Sequence, residues 1–122
     1  MTPEAGHWPT ELRLRDEGRT LTIHFDEGEV FDLTAEYLRV MSPSAEVQGH
    51  SAAERRTVSG KADVAIIAID PIGHYAVRLS FDDLHNTGLY TWDYLYQLGR
   101  EHPTRWSGYL AELATKGLAR SS

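Results

Sequence analysis

The spacing of apolar residues changes once along the chain, and this change limits the folds that the sequence can adopt. Before about position 90, apolar and polar residues alternate in several short runs, at residues 10–15, 19–25, 29–33 and 74–81, the pattern of strands with one buried face. After Thr91 the apolar residues recur every three or four positions, as they do on one face of an α-helix. Strands followed by helices are typical of the α+β class, so we predict an antiparallel sheet with helices packed against it.

Runs of this kind predict about five strands. Two loops that end in Gly18 and Gly28 separate the first three, and glycine can take the positive φ of a three-residue hairpin loop. The predicted strands cover residues 10–15, 19–25, 29–33, 64–69 and 74–81. The run at 64–69 is continuously apolar, so we expect it to be the central and most buried strand. Residues 70–73 fit a type I turn, and Tyr75 in the next strand should face the core.

Helical spacing and capping residues predict three helices. Thr34 is suited to the N-cap position of a short helix over residues 35–40. Thr91 is suited to cap a second helix, and Pro103 separates this helix from a third that extends to residue 117. The predicted fold is therefore α+β: an antiparallel sheet of about five strands, a short helix after strand three, and two C-terminal helices packed on the sheet.

The chain has 122 residues, which is the size of one domain. We predict a flexible lead-in over residues 1–9, a single domain over 10–117 and a tail over 118–122. The net charge of −6 disfavours a nucleic-acid partner, and the absence of cysteine excludes disulfides, thiol catalysis and zinc sites built from thiolates. Neither a membrane span nor a signal peptide is recognisable in the sequence, so we expect a cytoplasmic protein that does not bind membranes.

Familiar catalytic arrangements do not fit this sequence. His24 and Asp26 have the His-x-Asp spacing of an iron(II) oxygenase triad, but His24 lies on the polar face of a strand and Asp26 begins a hairpin turn. Ser107 lies within a predicted helix and not in a Gly-x-Ser-x-Gly elbow. The glycines form no phosphate-binding loop. We therefore expect no enzyme activity, no catalytic residue and no cofactor.

Two loops concentrate histidine, carboxylate and hydroxyl groups between predicted core elements. Loops on a rigid scaffold often carry binding sites, although turn and capping roles select the same residue types. The candidate binding patch consists of Ser42, Ser44, Glu46, His50, Asp82, Asp83, His85, Tyr90 and Trp92. We expect no bound metal, and within the patch only His85, His50 and Glu46 are weak candidates for metal ligands.

The same two loops resemble the gamma-butyrobetaine hydroxylase-like N-terminal domain family, whose small bacterial members are domains of unknown function. The similar blocks are residues 37–47, 60–61, 75–79 and 81–95, so the resemblance extends over most of the chain. In the hydroxylases this domain precedes the catalytic oxygenase domain. Similar domains are also fused to P-loop ATPases that carry iron–sulfur clusters. The resemblance thus implies an accessory role linked to iron–sulfur or oxygenase systems.

The resemblance also concerns a metal site. The domain in the hydroxylases holds a structural zinc with three cysteines and one histidine, and the resemblance places these ligands at Ser42, Ser44, Val47 and His85. Two hydroxyls and an isopropyl group cannot replace three thiolates, so we expect the zinc to be lost. Hydrogen bonds and packing should then close the same part of the fold.

Three functions remain as hypotheses. The favoured one is a non-catalytic interaction domain with an unidentified protein partner. The alternative is a metal- or small-ligand-binding protein that uses Glu46, His50, Asp83 and His85, and the third is an iron/2-oxoglutarate oxygenase. A functional His85 beside carboxylates should have a raised pKa if its side chain is not deeply buried. If His85 is instead structural, His85→Ala should lower the free energy of unfolding by about 1–3 kcal/mol.

Overall fold

The first sheet is a meander of three strands, β1 (Pro9–Arg15), β2 (Thr20–Phe25) and β3 (Val30–Thr34). Strand β2 lies in the middle and pairs antiparallel with both neighbours. The computed structural model describes residues 7–48 and 57–121. Within these ranges, the first three strands confirm the alternating pattern that predicted them.

The turn between β1 and β2 brings the first sheet against the second. All three residues of Asp16–Gly18 have positive φ, and that of Gly18 is 88°. A Cβ atom at Gly18 would lie 2.3 Å from the carbonyl oxygen of Ile66. Only glycine fits this position, because both the backbone conformation and the neighbouring strand exclude a side chain.

A second sheet contains β4 (Ile66–Ile72), β5 (Ala76–Phe81) and β6 (Leu89–Thr91), in that order and antiparallel. The prediction of one sheet of about five strands is therefore wrong, because the described chain forms two sheets of three strands. The chain leaves the first sheet at Thr34, where β3 passes directly into a helix. Strand β6 has only three residues, too few for an alternating pattern to be recognised.

Strand β4 lies at an edge of its sheet, and β5 is the central strand. Ile66 is 3% exposed, whereas Ile67 is 62% exposed. The prediction that residues 64–69 form a central strand with both faces covered is therefore wrong. The run looks continuous because the small residues Ala65 and Ala68 flank the two isoleucines, and not because both faces are buried.

The turn from β4 to β5 lies at residues 73–75, so the predicted type I turn at 70–73 is also wrong. Pro71 belongs to β4 and pairs with Val77. An edge strand tolerates proline, since a missing N–H on the outer side removes no bond from the ladder. Tyr75 lies in the observed turn and is 55% exposed, which corrects its expected position in the core.

The described residues form four helices, α1 (Ala35–Val40), α2 (Ala45–Gln48), α3 (Trp92–Arg100) and α4 (His102–Lys116). The predicted caps are confirmed: the hydroxyl oxygens of Thr34 and Thr91 each accept a backbone N–H three residues later, at 3.1 Å. Helix α2 was not predicted, because four residues are too few to show a helical period. None of the described helices is long and apolar enough to cross a membrane.

One main core joins both sheets to helices α1 and α3. Its fully buried side chains include Leu21, Ile23, Leu33, Leu38, Leu79, Phe81, Tyr90, Leu95 and Leu98. Helix α4 packs through a smaller cluster formed by Val40, Tyr109 and Leu113. Helix α1 contributes to both clusters and thus lies between the sheets and the C-terminal helix.

Residues 118–121 return to the rest of the domain and supply an ion pair. The backbone N–H of Ala62 donates to the carbonyl oxygen of Arg120 at 3.0 Å. The Arg120 guanidinium makes two hydrogen bonds, of 2.9 and 2.7 Å, to the carboxylate of Glu36. Glu36 is 5% exposed and lies in the first turn of α1, so this pair fixes the segment to the first helix.

Ile66 and Ile67 provide a matched test of the second sheet. Ile66→Ala should lower the free energy of unfolding by about 2–5 kcal/mol, because its side chain fills the core. Ile67→Ala should lower it by less than about 1 kcal/mol, because most of that side chain is in solvent. Chemical denaturation of the two variants measures the difference. Equal losses would contradict an edge strand with one open face.

Candidate functional site

The two loops predicted to form a binding patch lie side by side in the structure. One follows helix α1 and contains Ser42, and the other follows β5 and contains His85. The Ser42 hydroxyl oxygen lies 2.9 Å from Nε2 of His85, and both residues are buried. The resemblance implied this proximity, because it placed the zinc ligands of the hydroxylases on both loops.

Four residues of these loops and one of helix α2 form a hydrogen-bonded group, which we call the corner network: Ser42, Ser44, Glu46, His85 and Thr87. Nδ1 of His85 lies 3.0 Å from a carboxylate oxygen of Glu46. The Ser44 hydroxyl lies 2.6 Å from that of Thr87 and accepts the backbone N–H of Glu46. The Ser42 hydroxyl accepts the backbone N–H of Ser44. The network therefore ties helix α2 to the loop that follows β5.

The partners of His85 define its neutral tautomer. The Glu46 carboxylate can only accept, so Nδ1 of His85 carries the hydrogen and Nε2 accepts from the Ser42 hydroxyl. Both ring nitrogens are thus engaged within the protein. Gly88 allows the close approach of the loops, because a Cβ atom there would lie 2.6 Å from the Ser42 hydroxyl oxygen.

The pKa of His85 is lowered, which is opposite to the direction expected from its carboxylate neighbours. Burial of the ring has the largest effect, and the nearby positive charge of Arg39 acts in the same direction. Glu46 and Asp83 oppose both effects without reversing them. Burial and the charge of Arg39 thus favour the neutral form of His85, which is compatible with both of its hydrogen bonds.

Asp83 is held by two cations beside the corner network. One of its carboxylate oxygens lies 2.8 Å from Nε of Arg39 and 2.7 Å from Nζ of Lys61. The other oxygen accepts the backbone N–H of His85 at 3.1 Å. Burial alone would raise the pKa of the Asp83 carboxyl, but the hydrogen bonds from Lys61, the His85 backbone and Arg39 together lower it to about 2.

The donor set at the four positions of the zinc ligands does not fit a structural zinc. Ser42 and Ser44 offer neutral hydroxyls that are engaged in the network, and Val47 is a buried apolar side chain. Both nitrogens of His85 already have partners. Across residues 7–48 and 57–121, no group of three or more His, Asp or Glu side chains is placed to hold a metal ion.

The other predicted patch residues have separate positions. Tyr90 is fully buried, and its hydroxyl donates to the carbonyl oxygen of Leu38 at 2.5 Å. Trp92 donates its indole N–H to the backbone oxygen of His74 and so belongs to the other end of the sheet. Asp82 is exposed and accepts the backbone N–H of Ala65. The predicted patch residue at position 50 lies outside the described residues.

Sequence reasoning missed three residues beside the corner network. Arg39 and Lys61 hold Asp83, and both lie in the blocks that carried the family resemblance, so a signal was available. Leu84 is 84% exposed and has a φ of 75°, although leucine rarely adopts positive φ. A lone apolar residue within the polar stretch 82–88 was the only sequence signal for it.

The donor set leads to a prediction about metal. Protein purified without a histidine tag should contain no stoichiometric zinc, and EDTA should leave its melting temperature unchanged. Elemental analysis and thermal melts with and without chelator measure both, with a cysteine-containing family member as the positive control. A drop of many degrees on adding EDTA would show that His85 binds a metal with other ligands.

The hydrogen bonds of His85 predict that its side chain stabilises the fold. His85→Ala should lower the free energy of unfolding by about 1–3 kcal/mol, because the substitution leaves Ser42 and Glu46 without their partner. His74 is exposed, so His74→Ala should leave the free energy of unfolding unchanged.

The burial of His85 also predicts a loss of stability in acid. In the unfolded chain His85 binds a proton near its ordinary pKa of 6.5, but in the folded protein only at lower pH. The unfolded state then binds more protons, so wild-type stability should fall as the pH drops below 6.5.

His85→Gln, which cannot titrate, isolates this contribution. Denaturant titrations between pH 7.5 and pH 5 should show a smaller decline for the variant than for the wild type. Identical slopes for the two proteins would contradict a lowered pKa at His85.

Comparisons with known proteins agree with the fold. The family model described as "Gamma-butyrobetaine hydroxylase-like, N-terminal" matches residues 12–96. A chain solved by NMR in solution is 46% identical, with a TM-score of 0.82, over 94% of this chain and 90% of that chain. A second chain solved by NMR is also 46% identical, with a TM-score of 0.81, over 98% of this chain and 90% of that one.

A crystal structure from Acidithiobacillus ferrooxidans ATCC 23270 is 38% identical, with a TM-score of 0.63, over 75% of this chain and 91% of that chain. It shows a protein with unknown function that belongs to the DUF971 family. A comparison with curated proteins finds no match. Since the family model extends over more than half of its length, the chain belongs to the gamma-butyrobetaine hydroxylase-like N-terminal domain family.

Proposed function

We propose that this domain is a non-catalytic interaction module that docks a protein partner on the turn formed by residues 82–85. The observation that carries the proposal is the conformation of Leu84, which combines a φ of 75° with 84% exposure. A left-handed backbone costs an L-residue about 1–2 kcal/mol, and glycine would avoid this cost. Because its side chain is exposed, Leu84 adds little hydrophobic stabilisation to its own fold, and we infer that it contacts a surface outside the chain.

The turn that presents Leu84 is fixed by hydrogen bonds. The backbone N–H of Leu84 donates to Phe81, the N–H of Phe81 donates to His85, and the N–H of Asp82 donates to Ala65, each at 2.9 Å. The corner network holds the same turn from the other side. A leucine presented in this way loses little conformational entropy on binding, which favours association.

The surroundings of Leu84 indicate the chemistry of the partner. Asp82 is exposed, and the side chain of Glu46 is 63% exposed. The charge of Asp83 is matched by Arg39 and Lys61 and does not add to this rim. An apolar centre with a polar rim is the usual anatomy of an interface, so the partner should offer an apolar pocket bordered by basic groups.

The contacts that the other patch residues make within the protein favour partner docking over metal or ligand binding. Glu46 and His85 bind each other, and Asp83 binds two cations. These carboxylates and this imidazole would have to give up their structural partners before they could hold a ligand. Family resemblance suggests that the partner belongs to an iron–sulfur or oxygenase system.

The variant Leu84→Gly tests whether Leu84 is needed for partner docking without lowering the stability of the domain. Glycine adopts the observed φ without steric cost, so the free energy of unfolding should stay the same or rise. Capture of a partner from native extract, measured by quantitative mass spectrometry, should be lost. Val30→Thr is the matched control, because Val30 is 52% exposed and lies on strand β3 of the first sheet.

A photoreactive side chain at position 84, with position 30 as control, tests direct contact. The protein that Leu84→Gly fails to capture should crosslink from position 84 and not from position 30. Retention of that protein by Leu84→Gly, or equal crosslinking from both positions, would refute the proposal.

A further inference from the structure

Arg39 is a largely buried cation with an unused donor. Its side chain is 12% exposed, and its Nε donates to Asp83 at 2.8 Å. Among the described residues, its Nη1 is one of two buried side-chain atoms without a hydrogen-bond partner. Buried polar groups are normally paired, because the loss of hydration is otherwise uncompensated. The unpaired atom therefore requires an explanation.

A cavity of about 340 Å³ borders this side chain. Its described lining includes Arg39, Lys61 and His85 together with the hydroxyl-bearing residues Thr57 and Ser59. The cavity thus combines two cations with two hydroxyl groups. Its volume exceeds that of a single small ion and lies at the lower end of the range for small-molecule sites.

The hydrogen-bond donors around the cavity favour an anion. Arg39 and Lys61 share a single oxygen of Asp83, so two positive charges face one contacting carboxylate. A third cation, Lys116, donates from its Nζ to the Thr57 hydroxyl at 2.6 Å, and the same Nζ lies 3.8 Å from a carboxylate oxygen of Glu112.

One carboxylate also lines the cavity and opposes this charge. It belongs to Glu46, whose Oε1 is directed at Nδ1 of His85 and whose side chain is 63% exposed to solvent. Arg39 and Lys61 are matched in number by Asp83 and Glu46, and Lys116 is paired with Glu112, so the unpaired Nη1 of Arg39, and not an excess of positive charge, favours an anion.

We propose that this cavity binds a small oxyanion, a phosphate or carboxylate group carried by a small molecule. The bound group would accept from the Arg39 guanidinium, which is suited to oxyanions, and from the Lys61 ammonium. Hydroxyls of Thr57 and Ser59 would donate the remaining hydrogen bonds. The ligand would thereby supply the acceptor that Nη1 lacks. This site is separate from Leu84, so it does not depend on the docking proposal.

Inorganic phosphate is the first probe, titrated against chloride at constant ionic strength and pH 7.5. The melting temperature should rise in a saturable way, because a ligand that binds only the folded state stabilises it. The Nε–Hε resonance of Arg39 should shift along the same curve in NMR spectra. Acetate is the second probe: a shift with phosphate alone assigns a phosphate site, and shifts with both assign a general oxyanion site.

Three variants test where phosphate binds. Lys61→Met should weaken phosphate binding about tenfold or more, as expected for the loss of a charge-assisted contact. Arg78→Met removes the same charge at an exposed position on β5 and should leave binding unchanged. Ser59→Ala, which leaves the Asp83 ion pairs intact, should weaken binding without lowering the melting temperature of the ligand-free protein.

Leu84→Gly should bind phosphate like the wild type, which distinguishes this site from the docking surface. The absence of any saturable shift with both anions would overturn the proposal. An equal loss of binding in Arg78→Met and Lys61→Met would also overturn it, because it would show that net charge alone attracts the anion.

Discussion

The structure depends on how the short helix α1 satisfies its backbone. Six residues, Ala35–Val40, are too few for a stable isolated helix, and five of them are buried. The carbonyl groups at its C-terminal end therefore need partners inside the protein. The Tyr90 hydroxyl donates to the carbonyl oxygen of Leu38, and the Tyr94 hydroxyl donates to that of Met41, both at 2.5 Å. These bonds tie α1 to β6 and α3, and they set where the loop of the corner network begins.

Local signals in the sequence predicted those parts of the fold that local interactions determine. Thr34 and Thr91 cap helices because each side chain bonds to a backbone group three residues away. The wrong predictions concern the pairing of strands that are distant in the sequence. Whether residues 64–69 lie in the middle or at the edge of a sheet depends on which strands pair with them, and apolar composition does not contain this information. Two elements, α2 and β6, were missed because they are too short to repeat the pattern that would reveal them.

The candidate site was predictable where a family pattern supplied long-range information. Resemblance placed Ser42 next to His85 across the fold, and the structure shows the hydrogen bond between them. The sequence predicted a raised pKa for His85 only if the ring was not deeply buried, and whether it is buried depends on the complete fold, in which burial outweighs the neighbouring carboxylates. Leu84 was missed because its significance lies in a backbone angle, which residue type alone does not reveal.

The ion pair between Glu36 and Arg120 has a consequence for synthesis on the ribosome. The two residues are 84 positions apart, which corresponds to roughly 4–17 s of translation at the usual rates. During this interval Glu36 has no guanidinium to neutralise it, so burial of its carboxylate is opposed by lost hydration. We therefore expect the first helix to take up its buried position only after the segment that contains Arg120 has emerged.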